Sequence, residues 1–303
     1  MDRKSFLKAL AVLSLAGAAF KLKDLRKWSE DLGATDRMPV LFVGHGNPMN
    51  AIEDNRFSRQ MKAIGKGLPT PKAILMVSAH WETKGTFVTA QEKPPTIHDF
   101  GGFPKALFDA QYPAPGSKWL AEETRATVTK TQVGLNDQWG FDHGCWSVTA
   151  NMFPEANIPM IQLSLDRGQP PSYHYELAKE LASLRKKGVL IIGSGNMVHN
   201  LRMVSLKSND FNESHGYDWA IEANETFKKL ILAGDHQPLI NYSTLGKSVA
   251  LSIPTPEHYL PMLYALALQE DKEGIELFND DVVGGSASMT SFVELKICES
   301  LVV

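Results

Sequence analysis

Cysteine is almost missing from this chain: Cys145 and Cys298 are the only two in 303 residues. Two cysteines build no disulfide framework, and neither lies in a CxxC pair of the kind that holds structural zinc. Any metal here is therefore left to imidazole and carboxylate. A basic excess is missing too, since 31 Lys and Arg stand against 34 Asp and Glu, which leaves no footprint for nucleic acid. The HExxH helix of zinc proteases is absent, and so is the GxSxG elbow of serine hydrolases, because Ser194 sits in "GSG". The partial fingerprint "GSGNMV" ends in Val198 and lacks a convincing acidic partner about 20 residues on, which weighs against a dinucleotide. No repeat, low-complexity tract or Pro/Gly/Ser-rich linker interrupts the chain after Met38. With 43% hydrophobic and 21% charged residues, residues 38–303 read as one globular domain.

What precedes that domain differs from it. "MDRKSFLKALAVLSLAGAAF" has a cationic start, an apolar stretch from Ala9 to Phe20 and the small-residue run Ala16-Gly17-Ala18, the pattern of a secretory signal. It resembles a twin-arginine export signal with Arg3-Lys4 in place of two arginines, and it is too short for a stable membrane span. A short amphipathic helix against the body of a cytoplasmic protein is the alternative. Residues 21–37 read as a polar linker, so 1–37 stand apart from the domain.

Five short runs rich in Val, Ile and Leu are expected as strands buried on both faces: 39–44, 73–79, 158–165, 188–195 and 248–254. Amphipathic stretches over 117–131, 172–188 and 216–234 are expected as helices between them. Strands alternating with helices predict a three-layer α/β sandwich with a largely parallel sheet. On that map His45 and His80 directly follow the first two runs, while His199 and His258 lie a few residues beyond the fourth and fifth. The carboxyl edge of an open parallel sheet is where ligands bind. Gly44 and Gly46 beside His45 are read as a bare backbone that lets a metal or substrate come close. Imidazole is the commonest metal-binding side chain, and two or three histidines with open positions mark a catalytic centre.

The segments "FVGHGNPMNAIEDN", "VSAHWETKGTFVTA", "PPTIHDFGGFP", "WGFDHGCWS", "GSGNMVHNLR", "IPTPEHYLPMLY" and "GSASM" run in order almost to the C-terminus. Together they resemble the class III extradiol ring-opening dioxygenases of the 4,5-DOPA dioxygenase type. The resemblance implies opening of a catechol ring beside its two hydroxyls by O2, with non-haem iron(II) as cofactor and zinc able to occupy the same pocket. It implies His45, His80 and His258 as metal ligands and His199 as the acid–base residue beside them. The wider superfamily uses two histidines and a carboxylate, so the third place lies between His258 and its neighbour Glu257. "TPEHYLPML" reads as a helix start with Thr255 as N-cap and Pro256 at the first position. Successive helical residues point about 100° apart, so only one of the two easily faces the pocket; the helix dipole already favours a carboxylate in the first turn, which leaves His258 as the expected ligand. His143 and His98 are candidates for hydrogen bonds to substrate or oxygen; Asp142 could orient His143 or cap a helix. Trp81, Trp139, Trp146 and Tyr259 could wall a ring pocket, whereas His174, His215 and His236 carry no assigned role.

Overall fold

In the computed structural model, residues 37–296 are described apart from Asn209 and Lys272. The signal-like stretch up to residue 36 and Cys298 lie outside the described residues. The strands are β1 (Val40–Gly44), β2 (Ala73–Thr83), β3 (Thr86–Thr89), β4 (Val133–Asn136), β5 (Met160–Asp166), β6 (Val189–Gly195), β7 (Glu273–Phe278), β8 (Val282–Val283), β9 (Ala287–Ser288) and β10 (Ser291–Lys296). Eight of them form one sheet in the order β4-β3-β5-β2-β6-β1-β10-β7. Its centre, β5-β2-β6-β1, is parallel throughout. β10 and β7 close one side antiparallel.

Alternation along the strands builds the layers. Val40 and Phe42 of β1, Leu75 and Val77 of β2, and Ile191 of β6 face one core with the helices Lys118–Thr127, Pro171–Glu180 and Asp218–Ala233. Their neighbours Leu41, Val43, Ile74, Met76 and Ile192 face the opposite core with the helices Arg56–Gly67 and His143–Met152. Strands covered on both faces need apolar side chains at every position. That is why β1 and the first half of β6 read as unbroken runs, while β5 carries the buried polar residues Gln162 and Ser164 among its apolar ones.

Two expectations are corrected. The run 248–254 is not a strand: Lys247–Ser252 is a helix after Gly246, whose φ is 100°. Its buried residues Val249, Ser252 and Ile253 are spaced three and four apart, while Ala250 and Leu251 are exposed, which is the helical period. The helix carrying "HYLPML" spans Leu260–Leu266 with Tyr259 as its cap, so Thr255 is not the N-cap. Pro261 explains the shift. It lacks an N–H and so cannot sit inside a helix begun at Pro256, but it is tolerated in the first turn of one begun at Leu260. Among the described residues no helix is long and apolar enough to cross a membrane.

Candidate metal centre

The ends of the neighbouring parallel strands β1, β6 and β2 form one edge, where two strands and one turn bring the histidines together. His45 follows β1 directly, and its N–H donates to Gly195 O at the end of β6. His80 lies inside β2 rather than after it. Val77 pairs with Leu163 and Glu82 with Leu165, so four residues of β2 bulge against one of β5. A bulge of this kind re-aims side chains beside a site. His258 comes from the turn before the Leu260–Leu266 helix, and its carbonyl accepts from Asn196 N–H at 2.9 Å.

The glycines have a different use from the one expected. A Cβ on Gly44 would meet Met289 O at 2.6 Å, and one on Gly46 would meet Met289 Sδ at 2.2 Å. They admit Met289, not a ligand. Gly193 and Gly195 of "GSG" do the same for the His258 segment: a Cβ on Gly195 would lie 2.1 Å from His258 O. Gly195→Ala is therefore expected to push His258 off the strand end, costing about 1–3 kcal/mol of stability. Thermal denaturation with metal analysis checks both consequences.

The imidazoles face one another. His45 Nε2 and His80 Nε2 are 3.2 Å apart. Their Nδ1 atoms face oxygen atoms of neighbouring side chains. Ser194 Oγ gives its proton to Gly144 O (2.5 Å), so at 3.0 Å it accepts from His45 Nδ1–H. His80 Nδ1 lies 3.4 Å from Asp99 Oδ2, and His258 Nδ1 lies 3.2 Å from Glu257 Oε1. With the protons on Nδ1, two Nε2 lone pairs point at each other across 3.2 Å. Only a cation between them, or a proton on one, relieves that repulsion.

Ring spacing separates the candidates for a third donor. With metal–nitrogen bonds of about 2.1 Å, an imidazole centre lies roughly 3.2 Å from the ion. Two rings at tetrahedral or right angles then have centres about 5.2 or 4.5 Å apart. His45, His80 and His258 have centroids 5.0, 5.4 and 4.9 Å apart, within or close to that range. The donor atoms that gather within 4.8 Å of one another form two other groups, His45 with His80 and His143, and His199 with Glu257 and His258. The His143 ring, however, sits only 3.9 Å from that of His80, and His199 stacks on His258 at 3.5 Å with 11° between planes. Those spacings suit packed rings better than two ligands radiating from one ion. The donor set and its spacing thus fit a metal held by three imidazoles.

Burial, then repulsion among neighbouring imidazoles, pushes His45 and His258 well below the usual histidine range. The same order of causes, burial and then His143, takes His80 to about 3. Neutral imidazole is the form that ligates. Burial also lowers His199 to about 4.

The remaining candidates separate. His143, the first residue of its helix, lies 3.0 Å through Nδ1 from Asp99 Oδ1, which also accepts the His143 backbone N–H at 2.9 Å. Asp142 is fully buried and caps that helix, accepting from Cys145 N–H and from Ser78 Oγ at 2.6 Å. Of the two roles expected of Asp142, the helix cap is the one its side chain takes, while His143 is held by Asp99 and the substrate-binding assignment finds no support in these contacts. His98 lies apart from the cluster, with Nε2 2.9 Å from Ala110 O. Trp81, Trp146 and Tyr259 are core residues, and Trp139 stacks on Trp81. The aromatic ring beside the cluster is Phe100, 5.6 Å from His143. Asp99 and Phe100 were not singled out, because nothing in the spacing of "TIHDFGG" ties it to residues more than forty positions away.

Residues 40–287 match the family described as the catalytic LigB subunit of aromatic ring-opening dioxygenase, and the chain belongs to that family. A 4,5-DOPA dioxygenase extradiol of Escherichia coli K12 is 48% identical over 262 residues, covering 85% of this chain and 95% of that protein. One from Beta vulgaris is 33% identical over 271 residues, covering 86% and 98%. The crystal structure of an uncharacterized protein from Escherichia coli K12 superposes with a TM-score of 0.73 at 42% identity, covering 85% of this chain and 99% of that one. The protein is thus an oxidoreductase of the extradiol dioxygenase class, and its family is metal-dependent.

Proposed function

We propose that this protein opens the ring of a catechol such as L-DOPA by 4,5-cleavage, with His45, His80 and His258 holding iron(II). The printed names of the Escherichia coli and Beta vulgaris relatives support the substrate class. The facing Nε2 atoms of His45 and His80, 3.2 Å apart with an oxygen beside each Nδ1, carry the reading. When bound there, iron(II) supplies a redox-active Lewis acid; zinc fits the same donors but has no redox chemistry.

The chain's own residues handle protons and position. His199, neutral at physiological pH, accepts a proton from a catechol hydroxyl through a ring nitrogen, and returns one as the O–O bond breaks. His143 has its Nδ1–H directed to Asp99. Its Nε2 is left as an acceptor for a hydroxyl of the substrate. Phe100 offers an apolar face on the His143 side. Both atoms of O2 enter the product, a ring-opened acid carrying an aldehyde.

Iron(II)-loaded protein given L-DOPA is expected to consume oxygen and form a yellow semialdehyde, while zinc-loaded protein does neither. Oxygen electrode and absorbance measurements over a panel of catechols check this. No uptake with any of them, in protein verified to hold iron, refutes the reading.

A further inference from the structure

We propose that Asp99 is a positioning residue that sets the tautomers of His80 and His143 together, so that one carboxylate prepares both a metal-ligand nitrogen and a substrate-facing nitrogen. The inference rests on the metal assignment above, but not on ring cleavage.

The geometry is that of a shared acceptor. Asp99 Oδ1 receives the His143 backbone N–H at 2.9 Å and lies 3.0 Å from His143 Nδ1. Oδ2 lies 3.4 Å from His80 Nδ1. The carboxylate is 18% exposed. An ionised carboxylate has only acceptors, so it favours a proton on His143 Nδ1 through the hydrogen bond at 3.0 Å and on His80 Nδ1 through its charge at 3.4 Å. Each Nε2 is then a lone pair, and that of His80 points at His45 Nε2. Metal-ligating histidines are held in this way by carboxylates that do not touch the metal.

Asp99 reaches two histidines from different elements, β2 and the His143–Met152 helix. It does so from a segment followed by Gly101 and Gly102, where an added Cβ would meet nothing within 4 Å and φ at Gly102 is 79°. Phe100, on the same segment, packs edge-on to His143. The carboxylate therefore also anchors the aromatic side of the site to the metal side. Glu257 plays the corresponding part for His258 alone. Three neutral imidazoles backed by two carboxylates would balance a divalent cation.

Asp99→Asn tests this without changing size. An amide oxygen in the Oδ1 place keeps both His143 contacts, which turns the NH2 toward His80 Nδ1. Two donors then face each other, and His80 relieves the conflict by moving its proton to Nε2. Zinc titration of the chelator-stripped full-length variant should show affinity about 10–100-fold weaker than wild type. Nitrogen-15 NMR of the zinc-loaded protein should show His80 protonated at Nδ1 in wild type and no longer so in Asp99→Asn, while His143 keeps its tautomer. Asp99→Ala should release both rings, and Asp99→Glu should recover zinc affinity in part. Melting temperature is read alongside, because a merely structural role would move stability without moving the tautomer. Wild-type zinc affinity in Asp99→Asn, or unchanged His80 nitrogen shifts, overturns the proposal. If catechols prove not to be substrates while these shifts occur, the positioning role stands and the proposed reaction fails.

Discussion

His258→Ala should strip the protein of tightly bound metal, whereas Glu257→Gln should retain it. The two residues are neighbours in sequence but unequal in geometry. His258 brings its ring centre within 5.4 Å of His45 and 4.9 Å of His80. Glu257 Oε1 lies 3.2 Å from His258 Nδ1 and receives the Thr255 hydroxyl at 3.0 Å. Gln keeps an oxygen able to accept the His258 N–H, so the ring stays oriented. Removing the imidazole leaves two donors for the ion, and the loss should exceed the 10–100-fold typical of an outer-shell change. Metal content after gel filtration, with zinc titration of each variant, decides it. Metal lost with Glu257→Gln and kept with His258→Ala would restore a two-histidine, one-carboxylate site.

His199→Ala should keep the metal and lose turnover by about 10²–10⁴-fold, the range of a general acid–base group. What holds His199 in place is backbone and stacking. Its N–H donates to Ser252 O, it bridges Ala287, and its ring lies flat on His258. A ring parallel to the His258 ring at 3.5 Å is poorly placed to share an ion with it. Stoichiometric iron with depressed kcat would support proton transfer; a variant that holds no metal even at saturating iron would overturn it. Loss of the stack alone should loosen His258, so metal affinity is measured with activity.

The central sheet was legible in the sequence because its strands are covered on both faces, and double coverage writes itself as unbroken apolar runs. The edge on which ligands gather followed from counting where such runs stop, and so did His45 and His199. Local pattern failed where a partner distant in sequence decides the outcome. The run at 248–254 has strand composition but a helical burial period, visible only once its neighbours are known. β3 and β4, four residues each, are too short to carry a period. Asp142 and Asp99 make the sharpest contrast. Asp142, adjacent to His143, was the natural partner by sequence, yet backbone direction at a helix start turns its carboxylate to Cys145 N–H and Ser78. Asp99, 44 residues earlier, supplies the hydrogen bond instead. Residue type and order along the chain determined that imidazoles collect at the carboxyl edge of a parallel sheet. Which nitrogen of each ring faces inward was decided only by tertiary structure, because a tautomer is set by the acceptor that packing brings to the other nitrogen.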